Sequence, residues 1–227
     1  VRADDVYNQG TTNVVRSITG TTGGNYEALT TTSTVSTTVT EDADATTVTL
    51  SSATAGSNVT EGGSIVYTAT VSSAVTGTPL LVTLSNGQTI SIPVGQTTAN
   101  SAAFAVRADN VYTDANQNLS VSISGTPTGG NYEALTTTGT ITNTVVDDAD
   151  ATTVTLTASA ASVAEGASVT YTATVANAVT GTPLVVTLDN GSTITIAVGQ
   201  TTANSAAVIV RADDVYNQGT TNVVRSI

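Results

Sequence analysis

The first 18 residues of the chain, VRADDVYNQGTTNVVRSI, are also its last 18, residues 210–227, and a diverged copy, VRADNVYTDANQNLSVSI, stands at 106–123. A sequence that returns to itself in this way folds as a series of like units, each packing only on its neighbours. Further recurrences set the period. Val59, Glu61, Tyr67 and Gly77 return 104 residues later as Val163, Glu165, Tyr171 and Gly181, and Asp44 and Ala45 return after 106 as Asp150 and Ala151. TASAAS in place of SSATAGSN absorbs the difference, so the repeat is about 105 residues long. With that period the chain holds the C-terminal part of one unit (1–44), one complete unit (45–150) and the N-terminal part of a third (151–227).

Within the complete unit apolar residues recur every second position, the period of a half-buried strand. Val48 and Leu50, then Ile65, Tyr67, Ala69 and Val71, then Leu80, Val82 and Leu84 facing Ile90, Ile92 and Val94, each mark one strand face. SAAFAV (101–106), NLSVSI (118–123) and GTITNTV (139–145) complete seven expected strands. Asn86-Gly87 between two of them is a type I′ hairpin signal. Phe104, the single phenylalanine, falls in phase with Val106 and is expected inside; Tyr67 and Tyr171 read as core. Seven short strands in about 100 residues, parted by Gly, Asn, Thr and Pro turns, predict an all-β chain of tandem immunoglobulin-like sandwiches.

Composition removes most chemistry. There are 17 acids against 5 arginines, and no lysine, histidine, cysteine, methionine or tryptophan. Without His or Cys no Ser-His or Cys-His nucleophile pair, zinc site or redox dithiol can form. A net charge of −12 argues against nucleic acid, which needs clustered Lys and Arg. No run of 18 apolar residues is present, so no membrane-spanning helix is expected. No charged-then-apolar leader begins at Val1, so the chain does not read as a complete secreted precursor.

The acids are not scattered. VVDDADATTVTL (145–156) returns at 39–50 as VTEDADATTVTL, and each copy links two strands through closely spaced carboxylates. If the seven strands alternate in direction, Glu61, Asp109, Asp147, Asp148 and Asp150 gather at the exit pole of the complete unit. Glu133 lies at the entry pole, facing Asp4, Asp5, Glu41, Asp42 and Asp44 of the preceding unit. Such clusters repel unless a cation joins them. The absence of His and Cys leaves calcium, magnesium or manganese as candidates, and calcium is the expected one, because it takes six to eight oxygen ligands in flexible geometry. Arg2, Arg107 and Arg211 could neutralise part of each cluster. Tyr112 and Tyr132 fall in loops near the poles of the unit, where a ring could pack under the linker.

The combination VxEGxSVTYTATV, GTPLxVTLxNGxTITIxxGQTT, VRADDVY and GGNYEALTTT, followed by an Asp-rich junction, resembles the immunoglobulin-like extender repeats of giant type I-secreted RTX adhesins of Gram-negative bacteria. The resemblance covers all 227 residues. It implies a non-enzymatic spacer at the bacterial cell surface that carries an adhesive tip for attachment and biofilm formation. It also implies calcium at the junctions, held by Asp109, Glu133, Asp147, Asp148 and Asp150, with Glu61. The expected partners are neighbouring repeats of the same array.

A competing expectation is a filament in which incomplete units complete one another between copies. Residues 151–227 stop before a GGNYEAL loop and a seventh strand, whereas residues 30–40 carry Val35 and Val39 in register with Ile141 and Val145. An open sheet edge invites strand donation.

Overall fold

The alternating segments fold as strands, and no helix occurs among the described residues, 2–227 of the computed structural model. The chain separates into two units. The first runs to Asp109 and resumes over Ala115–Asp147; the second takes Asn110–Asp114 and Asp148–Ile227. In the first unit a hairpin, β1 (Thr12–Ser17) with β2 (Thr34–Val39), precedes the strands of a sandwich. These are β3 (Ala45–Ser52), β4 (Asn58–Thr60), β5 (Ser64–Ile65), β6 (Tyr67–Val71), β7 (Leu80–Thr83), β8 (Thr89–Ile92) and β9 (Thr98–Asn100), then β10 (Phe104–Ala105), β11 (Gln117–Ser122), β12 (Ala134–Thr138) and β13 (Thr140–Val146).

One sheet has the order β12-β3-β6-β9 and the other β11-β13-β4. Bridges Leu81↔Thr128 and Leu84↔Ile123 carry the β7–β8 hairpin onto the β11 edge. Every second residue turns inward, so Val48, Leu50, Ile65, Tyr67, Ala69, Leu80, Val82, Ile90 and Ile92 share one core with Val121 and Ile141. Each Val, Leu or Ile among them contributes ~1.5–3 kcal/mol when fully buried. The outer face of the first sheet is hydroxyl-rich instead, with Thr47 bonded to Thr136 (2.9 Å) and Thr68 to Asn100 (2.8 Å). The architecture is the expected immunoglobulin-like sandwich.

Two strands change sheet, and this was not anticipated. ALTTT, expected within a loop, forms β12 and pairs in parallel with β3, Ala134 opposite Ala45 and Thr138 opposite Thr49. The chain then crosses at Gly139 (φ +100°), where a Cβ would lie 2.4 Å from Leu50 O, and continues as β13 beside β11 and β4. Only glycine meets both demands. The buried Asn143 amide donates to the carbonyls of Thr54 and, at 3.1 Å, Ser57, closing the bend between β3 and β4.

Four finer expectations are corrected. The segment 64–71 is two strands, because its first residues pair with β10 and the rest with β3 and β9. The segment 101–106 is likewise broken. Ser101, bonded to Tyr67 through backbone (2.8 Å) and hydroxyl (3.1 Å), ends the β9 pairing, and Phe104 is half-buried against the Tyr67 ring at 6.4 Å. The Asn86-Gly87 turn is not type I′, which needs positive φ at both central residues. Gly87 alone has it (+85°), and Gly87 N–H bonds Leu84 O (3.0 Å), the type I turn with a glycine bulge. Val94 is 50% exposed, because Pro93 can donate no ladder bond and ends the strand.

The second unit repeats part of this plan with β14 (Thr155–Ala158), β15 (Ser168–Val169), β16 (Tyr171–Thr174), β17 (Leu184–Thr187), β18 (Thr193–Ile196), β19 (Thr202–Asn204) and β20 (Val208–Ile209). Its core gathers Val169, Tyr171, Ala173, Val175, Val186, Leu188, Ile194 and Ile196.

Candidate metal centre

The acid cluster that precedes β3 is a product of strand register. With Ala134 opposite Ala45, the residues before them, Glu133 and Asp44, lie side by side, and Asp44 N–H donates to Glu133 Oε2 (2.6 Å). Carboxylate oxygens of Asp4, Asp42 and Asp44 lie within 4.8 Å of one another, as do those of Glu41, Asp42 and Glu133. Asp42 belongs to both groups. Glu41 is partly neutralised by Arg2 (2.9 Å) and accepts Gln9 N–H (2.7 Å).

The electrostatics show the strain of this gathering. The Asp4 carboxyl is raised above its ordinary 3.8, first by Asp42, then by Asp44, by burial, and by Asp5 and Glu41. Glu133 is drawn down by the Asp44 N–H, yet burial and the neighbouring Glu41 and Asp44 outweigh that bond and leave it above 4.5. Glu133 Oε1 is buried and accepts no hydrogen bond.

Glu61, Arg107, Asp109 and Asp147 form a second arrangement in the first unit. Glu61 is only 5% exposed. Arg107 Nε donates to Glu61 Oε2 (2.8 Å), Arg107 Nη1 to Ala115 O (2.9 Å), and its Nη2 lies 3.9 Å from Asp147 Oδ1. Glu61 Oε1 and Asp147 Oδ1 are buried without a hydrogen-bond donor. Gly62 (φ +71°) holds Asp109 close, since a Cβ there would stand 2.9 Å from Asp109 Cβ. The second unit repeats the pattern with Glu165 and Arg211 (2.9 Å) and with Gly166 against Asp213.

A buried carboxylate oxygen with no donor costs free energy unless a proton or cation reaches it. The donors are all hard oxygens, the set calcium prefers. Asp42, with Asp4 and Asp44 on one side and Glu41 and Glu133 on the other, offers oxygens close enough to share such a cation; Glu61 Oε1 likewise has no donor, whereas Asp147 Oδ1 faces Arg107 Nη2. Asp5 stands apart: its oxygens accept Tyr7 N–H (2.8 Å) and the Gln9 amide. Asp148 and Asp150 belong to the second unit and are exposed.

Sequence reasoning missed three things. Glu165 and Asp213 occupy the Glu61 and Asp109 positions of the next repeat, a correspondence the 104-residue shift already contained. Asp114 accepts the Asn110 amide (2.9 Å), the reverse of the Asp5–Gln9 and Asp214–Gln218 pairs. Asp189 stands where the complete unit has Ser85, and faces Arg225, which replaces Val121, at 3.8 Å.

No curated protein matches the chain. The LapA domain matches it twice, over residues 44–149 and 150–227, which places the sandwich repeat among surface-attachment adhesins, a cell-surface or extracellular class that is in general non-enzymatic. The chain belongs to the LapA domain family.

Proposed function

We propose that these repeats are the spacer of a secreted RTX-type adhesin, stiffened by calcium at the junctions, and that they catalyse no reaction. Neighbouring repeats are the partners, and the surface role is to hold an adhesive tip away from the cell for attachment and biofilm formation. The supporting observation is the unpaired, buried Glu133 Oε1 inside a cluster of five carboxylates. Calcium there would neutralise repulsion that otherwise pushes the hairpin away from the sandwich. Calorimetric titration tests this. Uptake of calcium that is lost in Asp42→Asn with Asp44→Asn supports the reading; no uptake at millimolar calcium overturns it.

A second reading, strand exchange between copies, draws on one observation. A cavity of about 560 Å³ in the second unit, lined by Tyr112, Val179, Gly181, Thr182 and Pro183 among others, corresponds to where the first unit seats Gly129–Tyr132 against Thr78 and Pro79. Gly23-Gly24-Asn25-Tyr26 is the same motif, and Tyr26 is exposed. Against it stands Ser33 at the position of Gly139, where the crossing demands glycine. Light scattering decides: a concentration-dependent polymer favours exchange, and a monomer favours the spacer.

A further inference from the structure

We infer that the RAD(D/N)VY loop is a tyrosine clasp that recognises the repeat following it and holds the junction through contacts calcium does not supply. In the first unit Val6–Asn8 pair with Asn131–Glu133 of the sandwich: Glu133 N–H bonds Val6 O (3.1 Å), Asn8 N–H bonds Asn131 O (2.8 Å), and the Asn131 amide returns to Asn8 O (2.9 Å). The Tyr7 and Tyr132 rings stack at 5.5 Å. Their hydroxyls donate to adjacent carbonyls, Tyr7 to Ala74 (2.6 Å) and Tyr132 to Ser73 (2.6 Å). Burial, with Tyr7 beside it, raises the Tyr132 phenol above its ordinary 10.0.

One contact of this grip is made twice. Tyr112 donates to Ala178 O (2.7 Å) in the second unit, and Ala178 is the Ala74 position one repeat on. The loop is braced alike in every copy. Arg2, Arg107 and Arg211 each bond the carbonyl eight residues ahead, and Tyr7, Tyr112 and Tyr216 N–H each bond an Asx side chain two residues back. The amide–carboxylate brace survives even when its donor and acceptor exchange places, as Asp5–Gln9, Asn110–Asp114 and Asp214–Gln218. A loop whose shape is kept through such an exchange is shaped for an occupant. That occupant is a repeat bearing Gly-Gly-Asn-Tyr. Gly129 admits it by leaving Pro79 O clear, where a Cβ would stand 2.2 Å away.

The chain has no cysteine, so spin labels at Ser36→Cys and Ser91→Cys report the separation of hairpin and sandwich by pulsed electron resonance. With calcium present, Tyr7→Ala is expected to broaden that distance distribution about twofold, as expected on releasing a docked segment, while calcium uptake and the sandwich melting temperature stay unchanged. Tyr7→Phe, which keeps the stack and loses one hydrogen bond, broadens it less. A distribution that stays narrow in Tyr7→Ala overturns the clasp. So does broadening accompanied by lost calcium uptake, which would assign the restraint to the metal. Absence of calcium binding in the unaltered chain would overturn the calcium reading alone and leave this test standing.

Discussion

ATTVTL occurs twice, at 45–50 and 151–156, and folds differently each time. In the first unit all six residues are strand; in the second only the last two are. The difference is the partner. β12 lies parallel to β3 from Ala45 to Thr49, whereas among the described residues nothing pairs with 151–154. The effect spreads inward. Val59, 9% exposed beside β13, has its counterpart Val163 at 38%, and no strand forms there. Identical local propensity thus yields strand only where a neighbour satisfies the backbone.

Hydrogen exchange should show the comparison most sharply. Amides of Thr46–Val48 are expected to exchange at least ~10³-fold more slowly than those of Thr152–Val154, since one segment opens with the sandwich and the other locally. Equal rates would mean that the β12 pairing does not form.

Gly139→Ala should push the first unit toward the second. The added Cβ meets Leu50 O at 2.4 Å with φ at +100°, so a loss of about 3 kcal/mol is expected from strain and clash together. Unchanged thermal unfolding of the first unit would remove the crossing from its central role.

The paired arginines separate the units next. Arg107→Ala leaves Glu61, with a side chain 0% exposed, as an unpaired buried charge and should cost ~2–3 kcal/mol. Arg211→Ala touches a pair 34% and 26% exposed, and should cost under ~1 kcal/mol. Calcium is expected to shift the first value and not the second; equal losses would dissolve the distinction.

The smallest effect is on pH. Asp4 and Glu133 are raised in the folded junction, so that junction binds protons more readily than a released one, and its stability rises as pH falls. In chelator, the label distance distribution should narrow from neutral pH down toward the ordinary carboxylate values of 3.8 and 4.5. Broadening over that window would reverse the sign and refute it.

Much of this was written in single positions. Ile65, Tyr67, Ala69 and Val71 sit inside as their alternation required, and the break at Val66 left that phase intact because the pleat continues across it. Strand polarity put Glu133 and Asp44 at one pole, and the β12–β3 register set them side by side. The hidden parts were those set by a distant partner. ALTTT reads as loop because its three threonines show no alternation, yet β3 makes it a strand. Asn143 lies in phase with Ile141 and Val145 and is buried with them because the Thr54 and Ser57 carbonyls receive its amide.

By itself the sequence determined the repeat, the strand faces, the lack of imidazole and thiolate chemistry, and the acid-rich links, because periodicity and composition are local properties. Only the tertiary structure decided where strands change sheet, which carboxylate oxygens remain without donors, and that two tyrosines more than a full repeat apart stack and reach adjacent carbonyls. Those depend on which backbone groups a neighbour satisfies, and no local window of sequence contains that neighbour.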